Sequence, residues 1–135
     1  MADGARFRRV MAPGVAEPPG RLFSNCLVAG DTIYVSGQHA GTAGGAPEGD
    51  TSMAGQTRTT LGKIKALVEA AGATMADIVK LTVFTTDISQ RMAISEARRA
   101  FFSGDFPCST LVEVKGLVHP DLLVEIEAIA IRRGG

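Results

Sequence analysis

The chain has 135 residues, 45% of them hydrophobic and 21% charged, which is enough to bury a core without disulfide or metal support. Lysine and arginine number 14, as do aspartate and glutamate, so the summed field that draws phosphate backbones or anionic lipid headgroups is missing. With one Tyr, six Phe and no Trp, a platform on which successive bases could stack is hard to assemble, and nucleic-acid and membrane roles are both disfavoured.

Residues 6–11 are a short basic and apolar stretch containing Arg6, Arg8 and Arg9, and residues 12–20 carry three prolines, which reads as an extended connection. No apolar run there is long enough for a signal peptide or a membrane span, so a cytoplasmic location is expected. The ordered core is expected to begin near Arg21. Residues 22–28 and 32–36 are β-rich, with Gly30 and Asp31 as the turn of a hairpin whose second strand ends in Ser36-Gly37-Gln38. Residues 39–49 are glycine-rich but lack the Gly-Lys-Ser/Thr ending of a phosphate-cradling loop, and read as a mobile surface loop.

Over residues 51–71, Leu61, Ile64, Leu67, Val68 and Ala71 recur at three- and four-residue spacing, which predicts an amphipathic helix stopped by Gly72. Thr74 and Asp77 suit a capping box. In the following strand, 78–85, Val79, Leu81 and Val83 alternate with Lys80, Thr82 and Phe84. Asp87 or Ser89 caps a second helix running to about Phe102, with Ile94, Ala97 and Phe101 inward and Gly104 near its end. Strands near 109–114 and 123–131 complete one α+β domain spanning residues 1–135. Two helices cover only one face of such a sheet. The other face carries Tyr34, Phe84, Ile129 and Ile131 among polar residues, which predicts burial against copies of the same chain in closed cyclic symmetry.

Several segments resemble the Rid family, the YjgF-like reactive-intermediate deaminases. They are Val28-Ala29-Gly30-Asp31-Thr32-Ile33-Tyr34-Val35-Ser36-Gly37-Gln38, Gln56-Thr57-Arg58 with the helix end Glu69-Ala70-Ala71-Gly72-Ala73, and Lys80-Leu81-Thr82-Val83-Phe84-Thr85-Thr86-Asp87. The last are Val112-Glu113-Val114 and Val124-Glu125-Ile126-Glu127-Ala128-Ile129-Ala130. The resemblance implies a chorismate-mutase-like mixed sheet with two helices on one face, of about six strands. It also implies a homotrimer with clefts at subunit interfaces, and cofactor-free hydrolysis of enamines or imines with release of ammonia.

Carried over residue by residue, the resemblance makes Glu125 the catalytic residue and Phe23, Gly37, Gln38, Ser95, Ser109, Leu111 and His119 substrate contacts. Glu125 would shuttle protons, and a carboxyl deprived of a cationic neighbour tends toward a raised pKa. Glu127, two residues on, shares its face and reads as an ordinary polar contact. Ser109 stands where the family has the arginine that holds the substrate carboxylate, and charge-assisted contacts of that kind contribute about 1.5–3 kcal/mol. Poor activity on 2-aminoacrylate is therefore expected. Phe23 and Leu111, replacing polar residues, point to an aromatic or otherwise apolar ligand. Arg91, Arg98 or Arg99 could replace the missing cation, although solvated helix charges are the ordinary reading. His39 and His119 are the two histidines and could act as donors, though surface loops are their commoner setting.

Cys26 and Cys108 form no CxxC pair and are expected to be reduced; Cys108 beside Ser109 lacks the orienting group of a Cys-His nucleophile. No ligand spacing indicates a metal, and no cofactor is expected. The function indicated is hydrolytic deamination of an enamine or imine other than 2-aminoacrylate. The alternative is a non-catalytic trimer that binds a small molecule on the same fold.

Overall fold

The computed structural model describes residues 6–43 and 45–133. The strands are β1 (Arg8–Arg9), β2 (Cys26–Ala29), β3 (Thr32–His39), β4 (Ile78–Thr85), β5 (Cys108–Glu113) and β6 (Val124–Ile131), and the helices α1 (Met53–Ala70) and α2 (Arg91–Arg98). They form one six-stranded mixed sheet in the order β1-β2-β3-β6-β4-β5, antiparallel throughout except for β4 and β5. The expected α+β architecture is therefore present. That parallel pair requires a crossover, which α2 supplies on the face that α1 also covers.

The β2–β3 hairpin turns on Gly30 and Asp31, and Gly30 adopts φ +62°, a left-handed value that glycine takes without a Cβ penalty. Helix α1 starts where the Ser52 hydroxyl accepts from the Gly55 amide at 3.1 Å. It ends at Gly72, φ +92°, where the Ala73 amide donates back to the Val68 carbonyl at 2.9 Å. Its inward stripe, Leu61, Ile64, Leu67 and Val68, is buried against Ile33, Leu81 and Ile126 of the sheet. Truncating one such leucine to alanine costs about 2–5 kcal/mol, because the packed surroundings only partly fill the void. Thr74 and Asp77 form the expected capping box ahead of β4.

Several sequence expectations are corrected. The ordered core begins well before Arg21. Val10 and Ala12 are buried, the Val10 amide donates to the Cys26 carbonyl at 2.9 Å, and the Asn25 side chain holds the Ala16 carbonyl at 2.9 Å. Strand β2 starts only at Cys26. Leu22 and Phe23 lie outside the sheet, 87% and 56% exposed, after Arg21 turns the chain at φ +54°. A register shift between Ile78 and Lys80 turns Val79 outward and gives its core place to Ile78. Helix α2 stops at Arg98, and the chain then tightens into three-residue turns up to Phe101.

Segment 39–49 is not a free loop. Gly41 bridges Pro47, and the Lys63 ammonium donates to the carbonyls of His39 and Gly41 at 2.7 and 3.0 Å. Gln56, wholly buried on α1, makes a second tie. Its amide donates to the carbonyls of Thr51 and Asp121 and its oxygen accepts from the Leu123 amide, all at 2.9 Å. That clamp sets the entry of β6, on which Glu125 stands.

Candidate functional site

Position along β6 decides what Glu125 can touch. Val124, Ile126, Ala128 and Ala130 point into the core, so Glu125, Glu127, Ile129 and Ile131 lie on the face that the helices leave uncovered. In register, Glu125 sits between His39 of β3 and Phe84 of β4. On β3 the pairing passes from Val35 opposite Ala128 to Gln38 opposite Ile126, so Ser36 and Gly37 together face a single residue, Glu127. This β-bulge brings the Gly37 backbone directly under the Glu125 side chain. A Cβ at Gly37 would lie 2.1 Å from Glu125 Oε2 and 2.9 Å from its Cδ. Only glycine leaves room for the carboxyl there.

Glu125 is half-buried, and its pKa is raised above the ordinary glutamate value, first by loss of solvent and then by the neighbouring Glu127 carboxylate. Among the described residues no cation offsets either effect. The carboxyl therefore holds its proton to higher pH than an exposed glutamate does.

On the other side of Gly37 opens a cleft of about 650 Å³ between residues 14–19, the end of β3 and helix α1. Phe23, Gly37 and Gln38 line it, together with Asn25, His39 and Lys63; Glu125 does not. Gln38 donates to Asn25 Oδ1 at 3.3 Å and to the Ser36 carbonyl at 3.1 Å, so it braces the bulge from the core side. His39 accepts the Gly41 amide on Nδ1 at 3.0 Å. Burial, with the Lys63 charge second, lowers its pKa and favours the neutral ring.

The remaining candidates lie elsewhere. Ser109 and Leu111 pair with Leu81 and Val83 and so face the helix side of the sheet, where Leu111 packs against the core. Ser95 lies on α2 in a second hollow of about 320 Å³ with Arg98, Arg99 and Phe106. Arg98 joins the two groups by donating from Nη1 to Ser109 Oγ at 3.0 Å. His119, between β5 and β6, accepts the Asp121 amide on Nδ1 at 3.1 Å, and its ring lies 3.3 Å from where a Cβ on Gly45 would stand. A single copy thus keeps Gly37 and Glu125 on one face of the sheet and Ser95, Ser109 and Leu111 on the other.

Sequence reasoning underrated two residues. Lys63 stands among the polar positions of α1, where nothing in the helical spacing marks it as the tie for segment 39–41. Arg98 was read as a solvated charge, although it lies three positions beyond Ser95 and so shares its helix face. Cys26 is buried, which pushes its thiol up to about 11, and Cys108 is exposed; neither is in a disulfide. Among the described residues no group of three or more His, Cys, Asp or Glu could hold a metal ion, and no helix is long and apolar enough to cross a membrane.

A family model described as endoribonuclease L-PSP matches residues 15–132. The curated 2-iminobutanoate/2-iminopropanoate deaminase of Escherichia coli strain K12 is 44% identical over 84 residues, 60% of this chain and 65% of that protein's length. The chain thus matches slightly less than two thirds of that relative. Among solved structures, a protein of unknown function from Pseudomonas aeruginosa superposes with TM-score 0.81 at 42% identity, covering 93% of this chain and 92% of that one. The YjgF gene product of E. coli superposes with TM-score 0.82 at 35% identity, covering 93% and 99%. With residues 15–132 matched by the family model, this chain belongs to the endoribonuclease L-PSP family, the YjgF-like or Rid proteins.

Proposed function

We propose that this protein is a cofactor-free hydrolytic deaminase of an enamine or imine, acting in a cleft between identical subunits of a cytoplasmic homotrimer. The observation that carries the reading is the Glu125 carboxyl: half-buried, raised in pKa, and laid over a glycine that leaves its oxygen free to face a ligand. An acid of that kind can donate and recover a proton near neutral pH. Glu125 first protonates the enamine carbon or the imine nitrogen. The resulting carboxylate takes a proton from the water that adds to the C=N carbon and returns it to the amino nitrogen. Ammonia then leaves as the hydroxyl proton comes back to Glu125, so that one water is consumed and one carbonyl and one ammonia are formed.

The intersubunit cleft is supported by the separation of the candidate residues. A ligand touching both Glu125 and Ser109 must lie between two copies, since one copy holds them on opposite faces. Tyr34 and Ile131, 50% and 45% exposed on the uncovered face, supply apolar surface for that assembly. The printed activity of the E. coli relative supports imine hydrolysis as the reaction class. Phe23, Leu111 and the neutral Ser109 favour a more apolar substrate than 2-aminoacrylate. An RNA substrate is disfavoured by the net charge of zero, despite the family's description.

Ammonia release from freshly generated 2-iminopropanoate and from aminomuconate-type enamines tests the proposal. Turnover that disappears in Glu125→Ala supports it, and turnover unchanged in that variant removes Glu125 from the mechanism. Ser109, uncharged where the family has an arginine, favours the second reading, a trimer that binds a small molecule without converting it. That reading predicts saturable ligand binding with no ammonia released.

A further inference from the structure

The three arginines of the second helix are not alike. Arg91 and Arg99 are exposed, and Arg99 is paired with Glu96 at 3.3 Å. Arg98 is drawn in against the sheet margin and half-buried, which lowers its pKa, although a guanidinium stays charged. Among the described residues it has no carboxylate within ion-pair distance; its one partner is the neutral Ser109 hydroxyl. A guanidinium carries several N–H donors in a planar fork, and a single hydroxyl leaves most of them unused. A cation partly stripped of water without a counter-ion is destabilising unless an anion is supplied from outside.

The surroundings suit one class of anion. Arg98 lines the hollow of about 320 Å³ with Ser95, whose hydroxyl is a further donor, with Arg99, already paired with Glu96, and with Phe106, which is 41% exposed. We propose that Arg98 anchors the carboxylate of this protein's ligand, a small carboxylic acid with an aromatic or branched apolar body that lies against Phe106. The charge is delivered from helix α2 to the place that Ser109, on β5, leaves neutral. The inference rests on the proposed deaminase site only for what then happens to the anchored molecule.

Phenylacetate and its neutral isostere phenylacetamide, titrated into the assembled protein by NMR, test the assignment. The wild type should bind the acid at least about tenfold more tightly than the amide. Arg98→Gln should weaken phenylacetate roughly ten- to a hundredfold and erase the preference, while Arg91→Gln, outside the hollow, leaves both affinities within about twofold. Arg98→Lys, which retains charge if the Gln variant fails to fold, should still prefer the acid. Equal binding of acid and amide by the wild type or the Lys variant overturns the proposal, as does a loss that follows Arg91 in place of Arg98. Ammonia release measured in parallel separates the two claims. Deamination with unchanged KM in Arg98→Gln overturns the anchor and leaves the deaminase standing. An Arg98-dependent preference in a protein that releases no ammonia does the reverse.

Discussion

Gly37→Ala separates the chemistry of Glu125 from the stability of the sheet. The added methyl would lie 2.1 Å from Glu125 Oε2, where ordinary contact begins at about 3.4 Å, so the carboxyl must retreat by about 1.3 Å. The three nearest atoms all belong to that one flexible side chain, so its movement relieves the closest contacts. Forcing it off its preferred rotamer costs about 0.5–1.5 kcal/mol, and alanine recovers about 0.5–1 kcal/mol over glycine in a strand, so the melting temperature should barely change. A displacement of about 1 Å in a proton-transferring group can lower turnover roughly a hundredfold. The assay is ammonia release with thermal unfolding in parallel, and the expected result is a protein of ordinary stability that is nearly inactive. Full turnover in Gly37→Ala would refute the assignment of Glu125, in this pose, as proton shuttle.

Glu125→Gln should stabilise the protein at neutral pH, because folding then no longer buries a carboxylate. A glutamate whose folded pKa is raised loses stability as pH climbs from its ordinary value of 4.5 through the raised one, so the advantage should fade below 4.5. Urea midpoints at pH 4 and pH 8 measure this, and an equal gain at both would contradict it. Gln56→Leu removes three hydrogen bonds and strands buried partners, a loss of about 3 kcal/mol or more, read as a melting temperature lower by roughly 10 °C; a shift under about 2 °C would disprove the clamp. Ile129→Arg puts a charge on the uncovered face and should yield a smaller species by light scattering, with ammonia release lost together with the assembly. An unchanged mass would count against self-association through that face.

The regular elements were legible because each buries one side. Leu61, Ile64 and Leu67 mark α1 through their helical spacing, and the alternation of β6 already put Glu125 and Glu127 on one face. Residues 10–25 were harder to read, since prolines remove the hydrogen-bonding pattern and the segment is held by single contacts such as Asn25 to Ala16. Register shifts are equally hidden: nothing local announces that Val79 turns outward or that Gly37 slides beneath Glu125. Motif matching named Ser95 and Ser109 but not Arg98, because which of two adjacent helix arginines bends toward a strand depends on how that helix packs.

The two margins of the sheet differ in a way that bears on handling the isolated chain. At one end β1 is two residues long, both arginines, so little backbone is offered to an incoming strand and what is offered carries charge. At the other end β5 runs six residues without a lysine or proline, and all of them but Leu111 are exposed. Unpaired amides and carbonyls along that border can recruit a foreign strand, whereas the arginine border repels one. Chains released by dilution or denaturant should therefore clump in one direction, and refolding yields should improve when protein concentration is kept low.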